Sequence, residues 1–339
     1  MQIDREGFLQ AIEAVSAGLA VKEVVEQSNC LVFTDDDQLV TFNDQVACRM
    51  ASPLPGVVGA VGAKALQELL TKLPEDTLNV EVNGKALRIR GKRRRASFNM
   101  QAEVVLPVGS VDKPDEWKDL DPEFGDAVSV VQSCASTNPQ ANFSLTCVHM
   151  HPDYLEACDN FQAIRYPMKL PLERECVVKQ SSIKHVPNLS MTQMAQSKNW
   201  LHFRNDVGLV LSLRYWNETY DNLDGILTVE GSPALLPGGL SEAVDKANVF
   251  SSENADQNRV LVRVRDGELA LKGIGVSGWY EEKKQLEYDG ADLEFRIDPA
   301  LLAEISGRTN ECVLSGERLK VDGGRFVYVT ALASVNSTA

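Results

Sequence analysis

The chain has 339 residues, 44% of them hydrophobic and 24% charged, an ordinary globular composition that excludes an intrinsically disordered polymer. Its formal net charge of −14 excludes a nucleic-acid binder that works through a broadly basic surface. No apolar run approaches the roughly 20 residues that span a bilayer, so no membrane association is expected, and the length favours two or three domains.

The first 20 residues, "MQIDREGFLQAIEAVSAGLA", place acids ahead of the apolar stretch and lack the basic start of a secretory signal. They predict a helix instead, with Phe8, Ile12, Val15 and Leu19 at helical spacing. A strand pair, "NCLVFTDDDQLVTFNDQVACRM", follows. Then "GVVGAVG" predicts a strand running into the helix "AKALQELLTKLP". The segment closes on "TLNVEVNGKALRIRG" and "RRASFNMQ", the first a hairpin across Asn83-Gly84.

The same order returns twice. "GDAVSVVQSCAST" predicts a helix, "FSLTCVHMHPDYLEACDNFQAIRYPM" a broken strand pair, "ECVVKQSSIKHVPNL" a strand entering a short helix, and "KNWLHFRNDVGLVLSLRY" a hairpin. Next come the helix "LSEAVDKANVFSS", a hairpin across Asp266-Gly267, the corner "LEFRIDPALLAEIS" and the closing strands "NECVLSGERLKVDGGRFVYVTAL". Leu87, Leu201 and Leu319 hold equivalent places in the closing hairpins, 114 and 118 residues apart. The expectation is an α+β chain of three tandem repeats, 1–119, 120–229 and 230–339, each with antiparallel strands on one side and two helices on the other. Head-to-tail repeats of this kind close into a ring when their rotation permits.

On this order of elements, the chain resembles the bacterial DNA polymerase III beta sliding clamp family along its whole length. "YDGADLEF" is similar to the family's strand before the second helix of its third domain, "DEWKDLDPEF" to its first linker, and "YDNLDGIL" to the end of its second domain. Departures elsewhere imply a divergent member, bacterial or phage-encoded. The resemblance implies three DNA-clamp domains in a ring-forming homodimer, sheets outside and helices inside. It implies a processivity factor of DNA replication that encircles duplex DNA without reading bases and tethers the polymerase. It implies no enzymatic activity, and no cofactor is expected. Seven unpaired-looking cysteines fit a reduced, cytoplasmic setting.

A ring holds DNA by topology, so an acidic chain needs only a few cations on its helices. The candidates are Lys22, Lys64, Lys72, Lys184, His185, Lys246 and Arg308. Arg93, Arg94 and Arg95 form the densest basic run with Lys92, which reads either as a DNA contact at the ring mouth or as a solvated hairpin tip. The resemblance places the dimer seam at Phe98 and Met100 against Val249 and Phe250. It places a pocket for short peptide motifs of the polymerase and clamp loader at Asp159, Phe161, Ala163, Ile183, Val329, Ala331 and Ala333. There the family's large apolar groups have become small ones, so the pocket's shape differs.

Two other motifs need a reading. "GIGVSG", Gly273 to Gly278, has dinucleotide-fingerprint spacing but lacks the following helix. Cys147, His149 and His151 alternate along one strand, so a metal-dependent enzyme is an alternative, as is a repeat protein that assembles without DNA.

Overall fold

The computed structural model describes residues 1–23, 25–114, 116–253 and 258–334, without the side chains of Glu304, Arg308 and Ser334. The first repeat runs β1 (Gln2–Asp4), α1 (Arg5–Val15), β2 (Cys30–Phe33), β3 (Gln38–Phe42), β4 (Val46–Ala51), β5 (Gly59–Gly62), α2 (Ala63–Lys72), β6 (Thr77–Asn83), β7 (Ala86–Arg90) and β8 (Arg95–Gln101). The second runs β9 (Lys118–Asp119), α3 (Phe124–Gln132), β10 (Cys147–His151), β11 (Tyr154–Cys158), β12 (Gln162–Pro167), β13 (Cys176–Lys179), α4 (Gln180–Ile183), β14 (Gln193–Gln196), β15 (Trp200–Arg204) and β16 (Val210–Trp216). A short helix α5 (Asp224–Leu227) leads to the third: β17 (Ser232–Leu235), α6 (Leu240–Ser251), β18 (Val260–Arg265), β19 (Glu268–Ile274), β20 (Trp279–Gln285), β21 (Glu287–Tyr288), β22 (Leu293–Ile297), α7 (Pro299–Arg308), β23 (Glu311–Leu314), β24 (Arg318–Asp322), β25 (Val327–Ala331) and β26 (Ala333–Ser334).

Strand pairing repeats three times. The strand after the first helix pairs antiparallel with the strand of the corner: β2 with β5, β10 with β13, β18 with β22. The short opening strand pairs with the strand after the corner helix: β1 with β6, β9 with β14, β17 with β23. The last strand turns back onto the corner strand, β8 on β5, β16 on β13 and β26 on β22. Leu87, Leu201 and Leu319 stand opposite Phe98, Leu213 and Thr330, which fixes the three closing hairpins in one register. Where the sequence predicts strand pairs after the first helices, the fold has three strands. The second turn of the first repeat is made without glycine, by Asn43 Oδ1 accepting from the amides of Gln45 and Val46 and by Asp44 at φ 73°.

Each corner turns a strand into a helix by local chemistry. Asp298 is extended, its carboxylate accepts from Ala300 and Leu301 amides, and Pro299 occupies the first helical turn where no amide is needed. Asp4 caps α1 likewise, its Oδ2 accepting from Gly7 N at 2.6 Å. The helices pack in pairs within repeats: α1 with α2, α3 with α4, α6 with α7.

The chain forms two compact units, one of Met1–Gln132, Thr146–Asp153 and Lys169–Thr219, the other of Ser133–Leu145, Tyr154–Met168 and Tyr220–Ala339. In the first, β4 pairs with β16, and Phe42 packs against Trp200 with ring centroids 6.1 Å apart in a core that includes Val32, Ala60 and Leu106. In the second, β12 pairs with β25 over a core of Cys158, Ala163, Leu223, Leu227 and Val329. The helix α5 packs on β12 and β25. Arg165 anchors this joint, bonding Glu156, which is 2% exposed, at 2.7 Å and Asp224 at 2.6 Å.

Candidate interaction edges and partner groove

Two strand edges are left over by the repeat pattern. The third strand of one repeat pairs with the last strand of the next: Val46 to Arg49 face Leu213 to Val210, and Gln162 to Arg165 face Thr330 to Val327. The equivalent third strand of the last repeat is β20, which among the described residues pairs only with β19. The equivalent last strand of the first repeat is β8. Among the described residues it pairs with β7 along Arg95–Asn99 on one edge and with β5 only at Met100 and Gln101 on the other.

The ends of these edges are apolar. Trp279 is 62% exposed at the start of β20, with Lys272 Nζ 4.3 Å from its ring centroid; Ile274 and Val276 are exposed nearby in sequence, and Val249 is exposed on α6. Phe250 lines the backbone of Gly278, where an added Cβ would lie 3.6 Å from its ring. Phe98 is half-buried on β8. Met100, expected beside it at the seam, is instead a core residue, 4% exposed, because its strand has already turned onto β5. Trp279 was not anticipated. Its only sequence signal is an aromatic opening an otherwise charged strand, "WYEEKKQ".

The basic candidates have different surroundings. Lys22, Lys64, Lys72, Arg93, Arg95 and Lys184 are exposed, Lys64 and Lys72 on the polar face of α2. Arg94 is held by Glu75 at 2.7 Å. Lys246 bonds Glu282 of β20 at 3.1 Å, and Glu282 is held down to a pKa of about 2 by the Tyr280 hydroxyl and by Lys246 and Lys284. Lys246 is thus committed to the helix–strand contact. His185 is pushed below the usual imidazole range by burial and by the charge of Lys184. The side chain of Arg308 lies outside the described residues.

The expected peptide site falls on a groove of about 620 Å³ in the second unit. Asp159, Phe161, Ala331 and Ala333 line it. Ala163 and Val329 lie beneath, each 1% exposed, in the core where β12 meets β25. Ile183, expected as a further lining residue, is fully enclosed in the first unit, because the corner helix turns it into the core. The groove wall is built by backbone pairing: Ala331 N donates to Phe161 O at 2.7 Å, and Asp159 Oδ1 accepts from the amides of Phe161 and Gln162. Tyr328 donates to Gln162 Oε1 at 3.0 Å. Phe161 stands 59% exposed with the Arg259 guanidinium 5.8 Å from its ring centroid. Arg259, just before β18, and Arg296, on β22, also line the groove, and neither is expected there, since an arginine at such a polar position reads from sequence as solvated.

The remaining motifs have structural explanations. "GIGVSG" ends β19 and enters the hairpin to β20, with no helix behind it. Gly273 and Gly275 let α6 approach: an added Cβ would lie 1.9 Å from Ala247 O and 2.2 Å from Phe250 O respectively. Cys147 is enclosed and its thiol is pushed up to about 11 by burial, while His149 and His151 both turn their Nε2 toward Glu175, at 3.5 and 3.9 Å. Among the described residues no group of three His, Cys, Asp or Glu side chains is arranged to hold a metal ion. All seven cysteines are free and buried, and among the described residues no helix is long and apolar enough to cross a membrane.

No family model matches the chain. No curated protein sequence matches it. Solved structures do. The DNA polymerase III subunit beta sliding clamp of Bartonella birtlesii is 17% identical, with a TM-score of 0.84 over 99% of each chain. That of Pseudomonas aeruginosa is 14% identical, with a TM-score of 0.82 over 99% of each chain. The DNA polymerase III beta chain of Streptococcus pneumoniae is 14% identical, with a TM-score of 0.82 over 98% of this chain and 99% of that one. With the threefold strand pairing described above, this likeness identifies the fold of the chain, from end to end, as that of the DNA polymerase III beta sliding clamps.

Proposed function

We propose that the protein is a DNA sliding clamp: two copies close into a ring around duplex DNA and tether a replicative polymerase as its processivity factor. The observation that carries this reading is the unfinished strand exchange. Two joints of one kind, β4–β16 and β12–β25, are made within the chain, and the two strands that would make a third, β20 and β8, keep open edges among the described residues. A second copy supplies the missing partner at each end, and a two-fold arrangement closes with no edge left over. Carrying over the internal register sets Gly278 opposite Phe98, Trp279 opposite Ser97, Tyr280 opposite Ala96 and Glu281 opposite Arg95 of the second copy. Phe98 then meets the backbone that Phe250 lines, which brings together two of the four residues the family resemblance assigns to the seam.

On this reading the domains are 1–119, 120–229 and 230–339. Lys22, Lys64, Lys72 and Lys184 meet phosphates from the helices, and the groove at Phe161 and Ala331 receives short segments of the polymerase and the loader. The role requires no cofactor and no catalysis, and it places the protein in the cytoplasm with its cysteines reduced. The test is retention. A chain of 37.2 kDa should sediment as a dimer of about 74 kDa, and once loaded should stay on circular DNA and run off linear DNA. Equal loss from both forms, or a monomer that still supports processive synthesis, would overturn the reading.

A further inference from the structure

Gln27, in the loop between α1 and β2, combines two unfavourable features. Its backbone is left-handed, at φ 64°, where a residue with a Cβ is strained. Its carboxamide is taken out of water, the residue being 1% exposed. The turn does not explain the choice, because glycine and asparagine adopt that backbone more readily. What the longer side chain adds is reach. Nε2 donates to Gln101 Oε1 and to Glu103 O, both at 2.7 Å, and Oε1 accepts from the amides of Val105 and Leu106 at 3.0 and 3.2 Å. Both donors and both acceptor positions of the carboxamide are thereby used. The loop end of this tie is fixed as well: Gln27 N donates to Glu23 Oε1 at 2.7 Å, and Gln27 O accepts from Cys30 N at the start of β2. All four side-chain partners lie where the chain leaves β8. That strand takes up β5 only at Met100 and Gln101 before it ends, and Leu106 then enters the core with Ala60 and Trp200. Two paired residues are a short hold on a strand end, and the carboxamide adds four bonds at and just beyond it.

We propose that Gln27 is a positioning residue for the seam: by tying the segment 101–106 to the loop before β2, it holds the end of β8 in place, so that the open edge is already set for the β20 edge of a second copy. The inference rests on the reading of β8 as a seam strand, and it assigns the preparation of that strand to a residue outside the seam. With the tie cut, the end of β8 is ordered only when a second copy pairs with it, and the entropy of that ordering opposes association.

The test is sedimentation velocity of the full-length protein as wild type, Gln27→Asn, Gln27→Gly, Arg95→Glu and Val177→Ala. Asparagine and glycine suit the left-handed backbone but cannot reach the segment 101–106. Each should raise the dimer Kd by about tenfold or more, since two seams lose a tie each. Hydrogen exchange over 101–106 should quicken in both. Val177→Ala hollows the core of the second repeat, where Val177 is fully enclosed on β13, and serves as the reference for a general loss of stability. Thermal melts rank its destabilisation against that of the Gln27 variants, and its Kd should stay at the wild-type value. A Kd unmoved by both Gln27 variants while Arg95→Glu raises it would overturn the positioning role and leave the seam. A rise in Val177→Ala as large as theirs would make Gln27 a general support of the fold and overturn the role equally. A Kd indifferent to Arg95→Glu and to both Gln27 variants would overturn the seam, and the positioning role with it.

Discussion

Reversing one charge at the proposed seam gives the most demanding test of the register. Arg95 opens β8 and Glu281 lies in β20; in the proposed seam, which carries over the register of the internal joints, they stand directly opposite each other across two copies. An opposite-charge pair across antiparallel strands is worth about 0.2–1 kcal/mol, and a like-charge pair costs a similar amount. Arg95→Glu therefore shifts each seam by about 0.4–2 kcal/mol. A two-fold ring has two seams, so the dimer is weakened by about 0.8–4 kcal/mol, roughly a 4- to 1,000-fold rise in Kd. Glu281→Arg alone should weaken the dimer too; its repulsion with Lys272, whose Nζ lies 3.7 Å from the Glu281 carboxylate, falls on the fold of each copy and not on the seam. The double variant should restore most of the affinity. Sedimentation velocity over a concentration series measures all four proteins. It should be run near 20 and 150 mM salt, because screening shrinks an exposed pair. A double variant no tighter than either single one would refute the register, and unchanged single variants would refute the seam.

Three further outcomes are expected. Changing Lys64, Lys72 and Lys184 together to Gln should lower the salt slope of direct DNA binding by about 0.9 for each phosphate no longer neutralised; filter binding measures this, and an unchanged slope would remove these residues from the DNA face. Gly273→Ala should destabilise the protein by about 1–3 kcal/mol, because the new methyl must push α6 away from its seat at Ala247; a chemical-denaturation midpoint unmoved from wild type would refute that packing. His202 is buried between Ser197 and Ser212 hydroxyls and its pKa is pushed down to about 4 by burial. The unfolded chain takes up that proton near 6.5, so between pH 6.5 and 4 it binds more protons than the fold, and stability falls as pH falls, by up to about 3 kcal/mol. Unfolding curves at pH 7 and pH 5 should show a smaller difference for His202→Gln than for wild type, and equal differences would refute the assignment.

The repeat was legible because its punctuation is local. Asn83-Gly84 and Asp266-Gly267 make hairpins through positive φ at Gly84, Asp266 and Gly267, and Asp298-Pro299 starts a helix whatever surrounds it. The turn at Asn43 to Gln45 was missed because a side-chain acceptor replaces the glycine there, and the two-residue strand β9 is too short to leave a periodic signal. Which way a side chain faces was less legible. Met100 and Phe98 share one face of β8, yet one is enclosed and the other half open, since the strand changes partner between them. Ile183 and Ile297 both sit at strand-to-helix corners, but only Ile297 lines the groove. Lys246 looked like a free helix cation until β20 brought Glu282 beside it. These differences depend on strands that are distant in sequence, which spacing along the chain does not encode.

The acidity of the chain and the sparse cations of its helices have one physical account under the proposed function. Among the described residues the solvent faces and ends of the helices carry Lys64, Lys72, Lys184 and the Glu282-bound Lys246, but also Glu6, Glu13, Glu68, Asp126, Glu242 and Asp245. With carboxylates outnumbering ammonium groups on those faces, attraction to a phosphate backbone is weak and is screened within about 8–10 Å at physiological salt. A protein that held DNA by that attraction would fall off within its own diffusion time. A protein that encloses DNA needs the attraction to be weak, since each strong phosphate contact is a barrier to movement along the duplex, while escape is governed by the opening of either strand seam. The variant that separates these is the lysine triple change. On loaded circular DNA its lifetime should equal that of wild type at about 50 and about 200 mM salt alike, whereas Arg95→Glu, which touches only the seam, should shorten it. If the triple change shortens the lifetime and Arg95→Glu does not, charge and not enclosure holds the DNA.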